Sequence, residues 1–69
     1  MKYVDELIEK SKLSNKSGKY WVELYTEIMN FLNGDYPEED KKKLKQKVRL
    51  EKVGMLYEGY KDDVKNNNL

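Results

Sequence analysis

The sequence predicts a small all-α protein, a single domain with three or four helices. Two observations predict this class. Apolar residues recur at spacings of three and four, the period of an amphipathic helix, and 69 residues, of which 38% are hydrophobic, leave room for only one core. That core is rich in large side chains, with six Tyr, one Trp and one Phe, so we expect a folded chain. The predicted domain covers residues 1–65, and the polar tail at residues 66–69 is expected to fray.

The first helix is predicted near the N-terminus and ends near Leu13. At about 100° per residue, five side chains share a face about 140° wide, and these are Tyr3, Val4, Leu7, Ile8 and Ser11. The run that follows, residues 14–18, is rich in residues that favour turns and caps and contains nothing apolar. A loop is therefore expected there.

The second helix is predicted over residues 18–32 and is the most apolar. Its main face, about 140° wide, holds Tyr20, Trp21, Leu24, Tyr25, Ile28, Phe31 and Leu32. Val22 and Met29 widen this face to about 200°, so the helix must be covered on more than one side. Ser17 is the expected N-cap, and Gly34 is expected to end the helix in the left-handed conformation.

A third helix is predicted to begin near Pro37, because proline suits the first turn and the acids Glu38, Glu39 and Asp40 face the positive end of the helix dipole. The apolar residues beyond it fall into two sets that one straight helix cannot bury on a single partner. These sets are Leu44, Val48 and Met55, and Leu50, Val53, Tyr57, Tyr60 and Val64. Two alternatives stay open. Either the chain breaks between Arg49 and Gly54, or one long helix passes between different neighbours.

In both cases the second helix forms the centre of the predicted core. Its central residues are Trp21, Leu24, Tyr25, Ile28 and Leu32. The residues expected to pack against them are Leu7 and Ile8 from the first helix, and Leu44, Val48 and Met55 from the last segment.

Composition argues against several function classes. The chain contains no Cys and no His, which removes disulfides, thiolate metal ligands and the usual general base. No serine stands in a recognisable nucleophile motif, so we expect no catalytic residue, no cofactor and no dedicated metal site. The acidic run at 35–40 instead predicts helix pairs of Glu38 with Lys42 and Glu39 with Lys43.

The longest uninterrupted apolar runs, such as Tyr20-Trp21-Val22, have only three residues, so no membrane span is expected. We expect a soluble, cytoplasmic protein. The composition, without Ala and rich in Lys, Asn and Tyr, is typical of an AT-rich genome and suits a bacterial or phage protein.

The strongest local signal is a basic segment at residues 41–52, which holds seven basic residues against the single acid Glu51. On one continuous helix, five of its cations would share an arc of about 100°. They are Lys41, Lys42, Lys45, Arg49 and Lys52. This predicted ridge suits the phosphates of a nucleic acid or an acidic protein partner. It equally fits a solvated lysine face that balances the acids of the same helix.

Tyrosine is the second signal, because six Tyr exceed what a core of this length needs. Tyr36, Tyr57 and Tyr60 are expected at a rim or contact surface, where one end of the ring is dry and the other wet. The alternative is that they cap the core with their hydroxyls outward. Together with the wide face of the second helix, they favour self-association, with a two-fold homodimer as the default form.

The sequence therefore predicts a non-enzymatic interaction module. We expect a homodimer that binds another protein through its aromatic surface and its basic ridge. The alternative is a nucleic-acid-binding accessory or regulatory protein that uses the same ridge on phosphates.

Overall fold

The computed structural model describes residues 2–66, which contain helices and no strand. The four helices are α1 (Lys2–Ser11), α2 (Gly18–Asn33), α3 (Glu38–Lys47) and α4 (Leu50–Lys65). The predicted all-α class is confirmed, with four helices rather than three. Of the tail that is expected to fray, Asn66 forms a turn and donates its backbone N–H to the Asp62 carbonyl at 2.9 Å. Residues 67–69 lie outside the described residues.

Helix α1 ends at Ser11, two residues before the predicted end. The Ser11 hydroxyl donates to the Ile8 carbonyl at 2.6 Å, which satisfies one of the carbonyls left open at a helix C-terminus. In the loop that follows, Asn15 has a positive φ of 58°, a conformation that asparagine tolerates better than most residues.

Helix α2 begins as predicted. The Tyr20 amide donates to the Ser17 hydroxyl at 3.2 Å, so Ser17 is the N-cap. Gly34 follows the last residue of α2, as predicted, but its predicted left-handed conformation is wrong, because its backbone is extended, with φ −87° and ψ 179°. Gly34 instead makes room: a Cβ atom there would lie 2.9 Å from Cε2 of Tyr36 and 3.0 Å from the Asn30 carbonyl oxygen. The backbone is extended where the chain leaves α2, and the Tyr36 ring lies close to Gly34 at this end of the helix.

The chain breaks between α3 and α4 at Val48 and Arg49, at the N-terminal edge of the predicted span. Val48 is extended, with φ −106° and ψ 134°, and its side chain is buried. The Leu50 amide donates back to the Val48 carbonyl at 3.0 Å. Gly54 does not cause the break. It lies inside α4, where its missing side chain lets the helix approach Tyr25.

Three helix pairs make most of the contacts that form the core. Helix α2 packs along α4, and α1 packs against α3 and α2. The buried residues are Val4, Leu7, Ile8, Trp21, Leu24, Ile28, Phe31, Leu44, Val48 and Val53, with Tyr20, Tyr25, Leu32, Leu50 and Leu56 packed against them. The placement of Met55 in the core is wrong, since its side chain is 69% exposed. The break at Val48 and Arg49 reorients α4, so that Val53, 3% exposed, is buried in its place.

Candidate functional site

A cleft of about 450 Å³ opens between the α1–α2 loop and the first half of α4. We call it the basic cleft. Its lining residues are Ser11, Lys12, Leu13, Ser14, Asn15, Trp21, Lys47, Arg49, Lys52, Val53 and Leu56. The volume lies within the range of about 300–1,000 Å³ that ligand pockets occupy.

The apolar part of the basic cleft comes from the core. Trp21 on α2, 9% exposed, meets Val53 and Leu56 on α4. Leu13 adds an exposed apolar side chain on the loop side. Ser14 and Asn15 add polar groups beside it. The cleft therefore offers an apolar floor with hydrogen-bonding groups at one edge.

The charged part of the basic cleft is entirely positive. Lys12, Lys47, Arg49 and Lys52 line it, and none of its described lining residues is acidic. Lys12 pairs with Glu9 at 3.5 Å across exposed side chains. Within residues 2–66, the other three cations form no ion pair. They are therefore available to a charged ligand without the loss of an ion pair.

Two local features of the sequence assemble this cleft. The polar loop after Ser11 provides one wall, and the break at Val48 and Arg49 provides the other. Arg49 is the N-cap residue of α4 and its side chain makes no capping hydrogen bond. Because a guanidinium is positively charged and has no acceptor atom, Arg49 adds its charge at the positive end of the α4 dipole.

The predicted basic ridge is divided by the same break. Lys41, Lys42 and Lys45 lie on α3, whereas Arg49 and Lys52 belong to α4 and its N-cap. The single arc of five cations is wrong for this reason, because it requires a continuous helix. Arg49 and Lys52 line the basic cleft, and the three α3 lysines do not.

The α3 lysines also differ in their pairing. Lys41 has a side chain only 14% exposed and pairs with Glu38 at 3.8 Å. Lys42 and Lys45 are exposed and form no ion pair within residues 2–66. The predicted pairs of Glu38 with Lys42 and Glu39 with Lys43 are wrong. Lys43 reaches α1 instead and donates to Asp5 at 2.8 Å.

The three tyrosines that are predicted at a contact surface lie in two separate parts of the structure. Tyr36 is exposed at the α2–α3 connection and stacks on Phe31, with ring centroids 4.4 Å apart. Tyr57 is half-buried on α4 and packs on Tyr25 at 4.8 Å. Tyr60, one turn later, is exposed. A contact role for these rings stays a prediction, and two of them already use one ring face within the chain.

The sequence reasoning missed Lys12, Lys47 and the loop residues of the basic cleft. Lys12 is distant in sequence from the basic segment, and only the tertiary structure brings the two together. Val48 is the one residue whose type indicates the break between α3 and α4. As a β-branched residue it has a lowered helix propensity and readily takes an extended conformation.

Across residues 2–66, no group of three carboxylates could hold a metal ion. No helix in this part of the chain is both long enough and apolar enough to cross a bilayer.

Known proteins offer no guide to the basic cleft. No protein-family model matches this chain, and comparisons with curated proteins and with solved structures give no match. The function is therefore inferred from the side chains of the cleft.

Proposed function

We propose that this protein is a small, non-enzymatic protein-binding module whose basic cleft takes an acidic segment of a partner protein with one apolar side chain. One observation carries the proposal. The same cleft combines four cations, no acidic lining residue and an apolar floor of Trp21, Val53 and Leu56.

The cations favour an acidic ligand because they need not give up existing partners. Lys47, Arg49 and Lys52 form no ion pair within residues 2–66, so a carboxylate can approach without breaking one. Each solvent-exposed pair contributes only about 0.2–1 kcal/mol. Such charges steer the partner and select its sign more than they hold it.

The apolar floor supplies the rest of the affinity. Burying a Leu, Met or Phe side chain there contributes about 1.5–3 kcal/mol. Together with two or three ion pairs this is small against the cost of association, so a weak and readily reversible complex is expected. The Ser14 hydroxyl and the Asn15 amide group, on the same wall, can donate hydrogen bonds to a carboxylate.

Nucleic acid is the second candidate. Lys42 and Lys45 are exposed and unpaired within residues 2–66, and they extend the positive charge along α3. The shape of the cleft favours the protein ligand, because an apolar floor between two walls fits an inserted side chain better than a duplex backbone. Glu38 and Glu39 are also exposed at the start of α3, where they repel phosphates.

The test is a polarisation titration of the full chain at low salt. The probe is a short labelled peptide of Asp and Glu with one central Phe. The controls replace its acids with Asn and Gln, or its Phe with Ser. A short DNA duplex and a single-stranded RNA of matched charge complete the set.

We expect the acidic Phe peptide to bind at least about tenfold more tightly than either control. Arg49→Glu with Lys52→Glu should abolish binding. The matched pair Lys42→Glu with Lys45→Glu makes the same charge change outside the cleft. This variant should still bind the acidic Phe peptide. Equal binding of the Ser peptide, or tighter binding of duplex or RNA, would contradict the proposal.

A further inference from the structure

We infer that the occupant of the basic cleft is α4 of a second copy of this chain. The inference rests on the proposed function, because it names the partner of the same cleft. It follows from a second surface, on α4, whose chemistry matches the ligand that the cleft is proposed to take.

This second surface, the Met55 face, consists of Glu51, Met55 and Glu58. Met55 has the highest exposure, 69%, among the large hydrophobic residues that the structure describes. Glu51 lies one turn before it and Glu58 one turn after it, on the same side of α4. A shallow groove beside them is also lined by Tyr25, Leu50 and Gly54, and none of its described lining residues is basic. The Met55 face is thus an apolar side chain between two carboxylates.

The two carboxylates are accessible to a partner. Glu51 is exposed and forms no ion pair within residues 2–66. Glu58 accepts from Lys61 at 2.8 Å, but both side chains are exposed, and such pairs exchange easily because they are weak. Methionine is also well suited to an adaptable contact, since its side chain is unbranched and polarisable.

The two surfaces lie at the same level of α4. The cleft uses Arg49, Lys52, Val53 and Leu56 of this helix, and the Met55 face uses positions 51 to 58. At about 100° per residue, Met55 lies about 110° around the helix from the centre of the four cleft positions on α4. A two-fold axis parallel to two neighbouring α4 helices would therefore let each copy insert its Met55 into the other's cleft. Such an exchange closes the assembly as a dimer.

Sedimentation equilibrium of charge-reversed chains tests this exchange. One variant reverses the cleft, with Arg49→Glu and Lys52→Glu. The other reverses the face, with Glu51→Lys and Glu58→Lys. In each variant alone both contacts join like charges, whereas in a mixture both contacts join opposite charges.

We expect the wild-type chain to be dimeric at about 100 μM and each variant alone to have a dissociation constant at least about tenfold higher. An equimolar mixture should recover the dimer. Met55→Ser should also weaken the dimer, and at a dilution where the chain is monomeric it should leave the melting temperature unchanged. The control pair Lys42→Glu with Lys45→Glu should leave the dimer unchanged.

A monomeric wild-type chain at this concentration would overturn the inference, and so would a mixture that associates no better than its components. The proposed function fails separately. A monomeric chain that still binds the acidic Phe peptide would retain the cleft as a binding site and lose only the second copy as its occupant.

Discussion

Gly54 packs so closely on Tyr25 that a Cβ atom at this glycine would lie 3.3 Å from Cε1 of the ring. Tyr57, one turn later on α4, also packs on Tyr25, with ring centroids 4.8 Å apart. Gly59, also within α4, has open space where its Cβ would be. The two glycines of α4 therefore share a helical backbone and differ in what surrounds them.

Because of this difference, we expect Gly54 and Gly59 to respond differently to substitution by alanine. Gly59→Ala should raise the free energy of unfolding by roughly 0.5–1 kcal/mol, because glycine inside a helix costs conformational entropy. Gly54→Ala gains the same propensity but must displace Tyr25, so it should stabilise less than Gly59→Ala or destabilise the chain. Urea unfolding followed by circular dichroism measures both. Equal stabilisation by the two changes would show that Tyr25 does not constrain α4.

The orientation of α4 predicts a second pair of outcomes. Val53→Ala should lower the free energy of unfolding by about 1.5–3 kcal/mol, because Val53 is buried against α2. Met55→Ala, two residues later, should change it by less than about 0.5 kcal/mol, since exposed positions contribute little. Thermal unfolding at a dilution where the chain is monomeric provides the comparison. The reverse ranking would mean that the stripe of Leu44 and Val48 continues through Met55 in one helix.

The stability of so small a core also predicts the effect of Trp21→Ala. The indole is 9% exposed and belongs to the buried cluster. Its removal should cost about 3–5 kcal/mol, which is comparable to the whole stability of a marginal domain. We expect a largely unfolded chain by circular dichroism. A variant that keeps most of its thermal stability would place Trp21 at the surface.

Helix α2 is predictable from sequence because local signals agree: Ser17 caps its start and a wide apolar face covers two sides. The last segment is harder, because its two apolar sets fit a break and a long helix equally well. Extending the stripe of Leu44 and Val48 past Arg49 puts Met55 in the core. This fails because the extended backbone of Val48 reorients everything after it. Local periodicity shows that the two apolar sets diverge, but it does not distinguish a break from one long helix or fix the direction of α4.

The basic cleft is less predictable than the fold. Arg49 and Lys52 stand out as basic residues, but their neighbours in the cleft include Lys12 and Ser14 on the α1–α2 loop. This proximity depends on how α4 packs along α2, which is a tertiary relationship. The sequence alone identifies two of the four cations of the cleft, Arg49 and Lys52. Only the packing of the helices shows that these cations surround an apolar floor.

The ion pair of Lys43 with Asp5 joins α3 to α1 and predicts a change in acid stability. The Lys43 ammonium donates a hydrogen bond that lowers the pKa of Asp5 below its ordinary value of 3.8. A carboxyl whose folded pKa is depressed contributes stability above the unfolded pKa, and this stability is lost as the pH falls through the folded pKa. We therefore expect Asp5→Asn to be less stable than the wild type at pH 6, with the difference shrinking below pH 3.8.

The size of this effect should be small, because the pair is exposed and screened by salt. Melting temperatures from pH 2 to pH 6, at low and high salt, measure it. Asp35→Asn is a suitable control, since Asp35 is also exposed and forms no ion pair within residues 2–66. Identical pH profiles for the Asp5 variant and the wild type would show that the pair contributes nothing.

Trp21 should report occupation of the basic cleft and distinguish its ligands. A Phe or Met side chain that enters the cleft removes water from the indole, so the emission should shift to shorter wavelength. Arg49→Glu with Lys52→Glu should suppress the shift at equal peptide concentration.

Salt separates the two ligand classes, because ionic strength near 1 M shortens the screening length to about 3 Å. A peptide held partly by its apolar side chain should then lose only the electrostatic part of its affinity. A nucleic acid should lose affinity with a log–log slope of about −0.9 per phosphate neutralised on a duplex, or about −0.7 on a single strand. A steep slope of several units without a change in Trp21 emission would indicate phosphate binding outside the cleft.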